Sequence, residues 1–251
     1  MKRLFSLLMF CLLLLASTTA MAASHAYGAY PYMRYGNNGK DNACLQLFYT
    51  QSGVFASVVT YDVEDGNAPM FKGVGMLENG TLVLEDYWFD VGRHREERRH
   101  FAYPSQPLPC EARVNENKQV VLLPTVDLRE MGVTKISEPD ISGTYKFEGL
   151  QVEGDHQLAL YFLQKLYIGN TGLDLSSKEY WFAYGMSGAE DRNSIFNSHM
   201  PQDAGDYLAI YVHNKHNKLI MTYYVHPHLW DAYSVTSDGE FKMLCSNDAV
   251  G

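Results

Sequence analysis

Beyond its first two dozen residues the chain has no apolar run near the ~18–20 residues that a helical membrane span needs. Basic residues are in the minority, 20 Lys and Arg against 29 Asp and Glu, for a formal net charge of -9. An acidic surface repels phosphate backbones and anionic lipid, so neither nucleic acid nor an acidic bilayer is an expected partner. There is no Walker loop, dinucleotide-binding glycine fingerprint, paired-Cys zinc signature or His-Glu-x-x-His, which removes the common sequence-legible routes to nucleotide and zinc-peptidase chemistry. Cysteine is scarce as well, four in 251 residues.

The chain opens MKRLFSLLMFCLLLLASTTAMAAS. Lys2 and Arg3 make a positive start, Leu4 to Ala16 an apolar segment, and Ala20-Met21-Ala22 a small-x-small cleavage pattern. That arrangement predicts a signal peptide over residues 1–22 and a mature protein that is secreted or periplasmic, with no transmembrane segment after cleavage. Cys11 follows Met9-Phe10 rather than a small residue, which argues against lipid attachment. Cleavage removes Lys2 and Arg3 and no acid, taking the net charge from -9 to -11. Apolar residues form 46% and charged residues 20% of the chain, a globular rather than a disordered balance. Three cysteines remain, Cys44, Cys110 and Cys245. Export permits disulfides, and Cys44–Cys110 is the expected pair because both lie in the same half. Cys245 is then left over.

Residues 23–40 are rich in Gly, Tyr and Asn and show no hydrophobic period, so they are expected to be a flexible leader. From residue 41 to about 137 the chain reads as short alternating or β-branched runs: 43–50, 54–62, 70–77, 81–90, 98–103, 111–115 and 119–124. Turn residues such as Glu78-Asn79-Gly80 and Glu116-Asn117-Lys118 separate them, which predicts a small antiparallel barrel or sandwich. In this it is similar to small periplasmic inhibitor barrels and lipocalin-like domains, and no site residue is carried over from either. Residues 136–143 look like a joint, and 138–251 are expected to form an α+β unit. Asp155 can cap a helix reaching about Ile168, with Leu158, Phe162 and Leu166 on one face. Ser176-x-x-Glu179 has the form of a capping box, yet the aromatic run after it suits a strand equally well. Four further runs, 207–213, 218–226, 231–237 and 240–245, read as a meander. The fold class is therefore mainly β, a barrel or sandwich followed by one helix packed on a β-meander.

Four histidines crowd residues 212–231. His213 and His216 sit at one end of the run 218–226, and His226 and His228 at the other. Eight residues at about 3.3 Å each separate the pairs by roughly 26 Å, too far to share one ion. At the far end the meander would gather His226, His228, Asp231 and Cys245, ligand types suited to zinc. Pro227 and the polar neighbours suit ordinary turn chemistry as well, and turns are the first expectation. Residues 92–100 pack Arg93, Arg95, Arg98 and Arg99 around two glutamates, a local excess of cations on an acidic chain. Guanidinium forks grip carboxylates and phosphates by two points, so this run is a candidate surface for an anion or a partner. Gly185-x-Ser187-x-Ala189 approaches a nucleophile elbow but lacks the alternating strands and helices that elbow needs. Asp62 to Asn67 has the look of a calcium loop, without its ligand spacing. With no catalytic constellation legible, the expectation is a non-enzymatic envelope binding or interaction module whose ligand is a protein, a glycan or a small molecule. The alternatives are a zinc hydrolase using His226, His228 and Cys245, and a structural envelope component that oligomerises.

Overall fold

The structure is a computed structural model that describes residues 28–35, 41–50, 52–62, 68–90, 101–126, 141–149, 154–166, 172–186, 195–200 and 206–246. The signal segment, the arginine run and Ser187 lie outside these residues.

The first half folds as a closed antiparallel barrel. Its strands are β1 (Gly28–Tyr35), β2 (Asp41–Thr50), β3 (Gly53–Asp62), β4 (Ala68–Glu78), β5 (Thr81–Asp90), the two-residue β6 (Phe101–Ala102), β7 (Leu108–Val114), β8 (Val120–Pro124) and β9 (Gly143–Phe147). The sheet runs β4-β3-β2-β1-β9-β8-β7-β5, and β4 also pairs with β5, so eight strands close on themselves while β6 extends β5. Closure removes the exposed edges that an open sheet would offer for aggregation. Hairpin chemistry fixes the register. Glu78 pairs with Thr81 across Asn79-Gly80, whose φ values of 50° and 78° suit a tight primed turn.

Side chains of alternating parity fill the barrel, among them Leu45 and Leu47 of β2, Val58 of β3, Phe71 of β4, Leu82 and Leu84 of β5, and Tyr145 of β9. The opposite parity on β2 and β3 faces outward, yet Phe48 and Phe55 are fully buried there. The second half covers them. Helix α1 (His156–Leu166) starts where the sequence places its cap: Leu158 N donates to Asp155 Oδ1 at 3.0 Å. Phe162 meets Phe55 with ring centroids 5.0 Å apart and Trp230 at 5.1 Å, and Trp230 meets Phe48 at 4.9 Å. Each such burial is worth about 1.5–3 kcal/mol in water exclusion.

Beyond the helix lies a five-stranded antiparallel meander: β10 (Tyr180–Met186), β11 (Leu208–Asn214), β12 (Leu219–Val225), β13 (Ala232–Thr236) and β14 (Phe241–Cys245). One face packs on α1 through Ile210, Val212, Tyr223 and Val225. On the other, α2 (Ile195–His199) inserts Phe196 among Tyr207, Tyr224 and Tyr233. The expected class, mainly β with a barrel followed by one helix on a meander, is what the chain adopts.

Two local expectations change, and one choice that the sequence left open is settled. Residues 28–35 of the supposed leader form β1, held by eight residue pairs to β2, because Tyr30 and Tyr32 alternate onto the inner face. The strand at 143–147, which falls in the part of the chain expected to form the α+β unit, pairs with both β1 and β8 and closes the barrel. The aromatic run after Ser176-x-x-Glu179 is the strand β10 rather than a helix, since its alternation pairs it with β11 along seven residues.

Candidate functional site

The barrel is closed by a short seam between β1 and β9. Between β1 and β9 Tyr32 pairs with Phe147 and Met33 with Lys146, and Glu148 N donates to Pro31 O at 3.3 Å, whereas β1 and β2 share eight pairs. Beside this seam lies a groove of about 490 Å³ lined, among the described residues, by Met33, Arg34, Tyr35, Ser142, Gly143, Thr144 and Lys146. Two of these are cations, three carry hydroxyls, and none is acidic. On a chain with a net charge of -9 this is a local reversal of sign.

Arg34 follows Tyr30 and Tyr32 in inward parity, and its guanidinium carbon stands 6.0 Å from the centre of the Tyr145 ring. A guanidinium over an aromatic face is attracted by the ring quadrupole. Tyr145 is itself fixed, being fully buried and donating its hydroxyl to Ile141 O at 2.7 Å. Gly143 lies beneath the arginine stem. It has φ of +131°, and a Cβ there would stand 2.7 Å from Arg34 Cδ. Lys146, Thr144 and Tyr35 are exposed on the outer side. Neither cation stood out in the sequence. Arg34 falls in the stretch expected to be leader and Lys146 in an ordinary strand, and only the closure of the barrel joins them. The inward alternation of Tyr30, Tyr32 and Arg34 was the one legible hint.

The residues expected to bind are placed as follows. Arg93, Arg95, Arg98 and Arg99 lie outside the described residues. At the far end of β12, His226 serves the turn: its Nδ1 accepts from His228 N at 3.2 Å and from Leu229 N at 3.1 Å. His226 N also donates to Asp231 O, and Trp230 N to His226 O, each at 2.9 Å. The His228 ring is 5.8 Å from that of His226, centre to centre. Asp231 is buried, and Cys245 pairs opposite Ala232 with its thiol raised by burial and by the nearby Asp231 charge. Among the described residues no three His, Cys, Asp or Glu side chains gather closely enough to hold a metal ion. At the near end His213 stacks on Trp181 at 4.2 Å, and His216 is an exposed turn residue.

The expected Cys44–Cys110 disulfide does not form, and all three described cysteines are free thiols. β2 and β7 stand four places apart in either direction around an eight-strand ring. Cys110 points inward with Leu108 and Ala112, while Cys44 takes the outward parity of Phe48. A disulfide needs Cα atoms within about 7 Å, which opposite walls of a packed barrel cannot supply. Burial pushes the Cys44 thiol up to about 11 and Cys110 to about 12, so neither is poised as a nucleophile. Gly185 closes no elbow either. It belongs to an antiparallel strand, and its carbonyl accepts from His156 Nε2 at 2.9 Å.

Comparison with known proteins gives no further guide, since no family model, curated protein or solved structure matches this chain.

Proposed function

We propose that this chain is an exported binding protein of the cell envelope that takes a negatively charged ligand in the β1–β9 groove and acts by recognition rather than catalysis. The observation that carries the reading is a groove of about 490 Å³ whose described lining carries Arg34 and Lys146 and no acid, on a protein of net charge -9. The filled barrel supports an external site, because its interior is occupied by its own side chains rather than by a ligand cavity. Export rests on the leader pattern of residues 1–22.

The test uses the mature protein, isotope-labelled, titrated with inorganic phosphate at low ionic strength. Two partly exposed cations hold one small anion weakly, on the order of millimolar. Amide shifts are expected at Met33 to Tyr35 and Ser142 to Lys146, and they should fade as salt screens the charges. Shifts spread evenly over the surface, or absent from those strands, would remove the groove from consideration.

A further inference from the structure

We propose that the open edge of β10 is a dimerisation strip, and that it takes the same strand of a second copy of this chain, antiparallel and centred on Phe182. β10 contributes nothing to the described lining of the β1–β9 groove. Among the described residues it is an outermost strand of the meander, paired with β11 on one side and with no strand on the other. Asn214 N donates to Lys218 O at 3.0 Å, so Asn214 turns its backbone towards β12. By alternation His213, Tyr211 and Ala209 turn theirs towards β10, where they pair with Trp181, Ala183 and Gly185. Tyr180, Phe182 and Tyr184 therefore aim their N–H and C=O groups at the open side. Proteins guard such an edge with a lysine, a proline or a bulge. The opposite edge of the sheet, β14, carries Lys242 and joins β13 through a bulge. β10 reads YWFAYGM, with no charged residue and no proline, and its Trp181 and Tyr184 are about half exposed.

The strand complements itself in one register. About a two-fold axis at Phe182, that residue meets its own copy, and Tyr180 meets Tyr184 of the second copy. All three outward-facing residues of each strand then stand in hydrogen-bonded pairs, which exchange two bonds each. Their side chains share the α1 face, where opposed aromatics make favourable cross-strand contacts. On the other face Trp181 comes beside Ala183 of the second copy, a large ring next to a small side chain. Gly185 O, bonded to His156 Nε2 at 2.9 Å, lies outside these residues. Charge points the same way. Two copies with a net charge of -9 each repel, and an uncharged strip lets them meet without bringing acids together. A foreign strand with charged side chains would find no counter-charge along β10.

The experiment is sedimentation equilibrium of the mature protein at about 0.15 M salt, which screens that repulsion. The mass should rise from monomer to dimer with a midpoint on the order of tens of micromolar, as suits a small interface. Tyr184→Pro removes an edge donor from each copy while leaving the bonds to β11, and should weaken association about tenfold. If Tyr184→Pro fails to fold, as read by circular dichroism, Tyr184→Lys guards the same position and should weaken association as much. Cross-linking reads the register. Trp181→Cys and Ala183→Cys proteins, mixed and oxidised with diamide, should form a mixed covalent dimer several times faster than either alone. Opposed residues of a non-hydrogen-bonded pair have Cα atoms about 4.5 Å apart, within reach of a disulfide. An unaltered protein that stays monomeric up to about 0.5 mM would overturn self-pairing and leave the edge to a strand of another protein. A dimer untouched by the folded Tyr184 variant would overturn β10 as its interface. A mixed cross-link no faster than those of the separate proteins would overturn the register centred on Phe182.

Discussion

Cys110 shows how burial sets the chemistry of a single side chain. Its thiol lies fully buried among Leu82, Leu108 and Leu122, and loss of hydration raises it from an ordinary 9.0 to about 12. Cys44, buried in the outer wall, rises to about 11 for the same main reason. A raised pKa in the folded state means that the neutral thiol is what the fold favours. The stabilisation is therefore present in full below about pH 9 and is lost as pH climbs through 11 and 12. Tyr49, pushed up by burial to about 12 from 10.0, adds to the loss in the same direction. Alkaline titration followed by circular dichroism should show stability falling above about pH 9, and flat stability to pH 12 would contradict the burial of these groups. Thiol counting gives a sharper check. Without reductant, the denatured mature protein should yield three reactive thiols, and a count of one would restore the Cys44–Cys110 bridge. That bridge looked plausible because sequence distance shows neither which way a strand's side chain points nor which strands lie opposite in a closed ring.

At the scale of elements, α1 is the piece most completely written in its own residues. Asp155 supplies the cap, and the pattern of Leu158 and Phe162 supplies the buried face. The sequence could not show that Asp155 also pairs with Lys72 of β4, nor that Lys165 at the far end pairs with Glu85 of β5. Gln157 adds a bond to Asp86 Oδ2 at 3.0 Å, so polar ties line the helix against the outer wall of the barrel. Asp155→Ala removes both cap and ion pair, and should cost about 1–2 kcal/mol in denaturant unfolding. Asp155→Asn keeps the capping oxygen and should cost well under half of that, since a partly exposed ion pair is worth little. Equal losses for the two variants would show that the charge on Lys72, not the cap, holds the helix start. β1 was illegible for the opposite reason. Its tyrosines make a strand only because β2 and β9 are there to pair with it, and β9 sits more than a hundred residues downstream.

At the scale of the whole molecule, the boundary expected near residue 138 does not divide two independent cores. β9 lies beyond it and closes the barrel, and the outward faces of β2 and β3 share one cluster with α1 and the meander. Trp230 is the central piece. It is fully buried, contacts Phe48 of the barrel and Phe162 of the helix, and approaches Gly154 so closely that a Cβ there would lie 2.5 Å from its ring. The turn that presents Trp230 is the one capped by His226, so that histidine does the turn chemistry that was its first expectation. The class of the fold was legible because alternation and turn residues are local. The union of the two units was not, because it depends on Phe48 and Phe55 being apolar on a face that a lone barrel would leave wet. If the shared cluster holds the units together, the protein unfolds in one step. Tryptophan fluorescence, which includes Trp230 at the junction, and labelling of Cys110 inside the barrel should then report the same denaturant midpoint. Trp230→Ala should cost about 3–5 kcal/mol. It should also separate the two signals, the meander yielding first while the hydrogen-bonded ring of the barrel persists. Two midpoints in the unaltered protein would mean that the barrel and the meander are stable apart, and that the aromatic contact between them is only a docking surface.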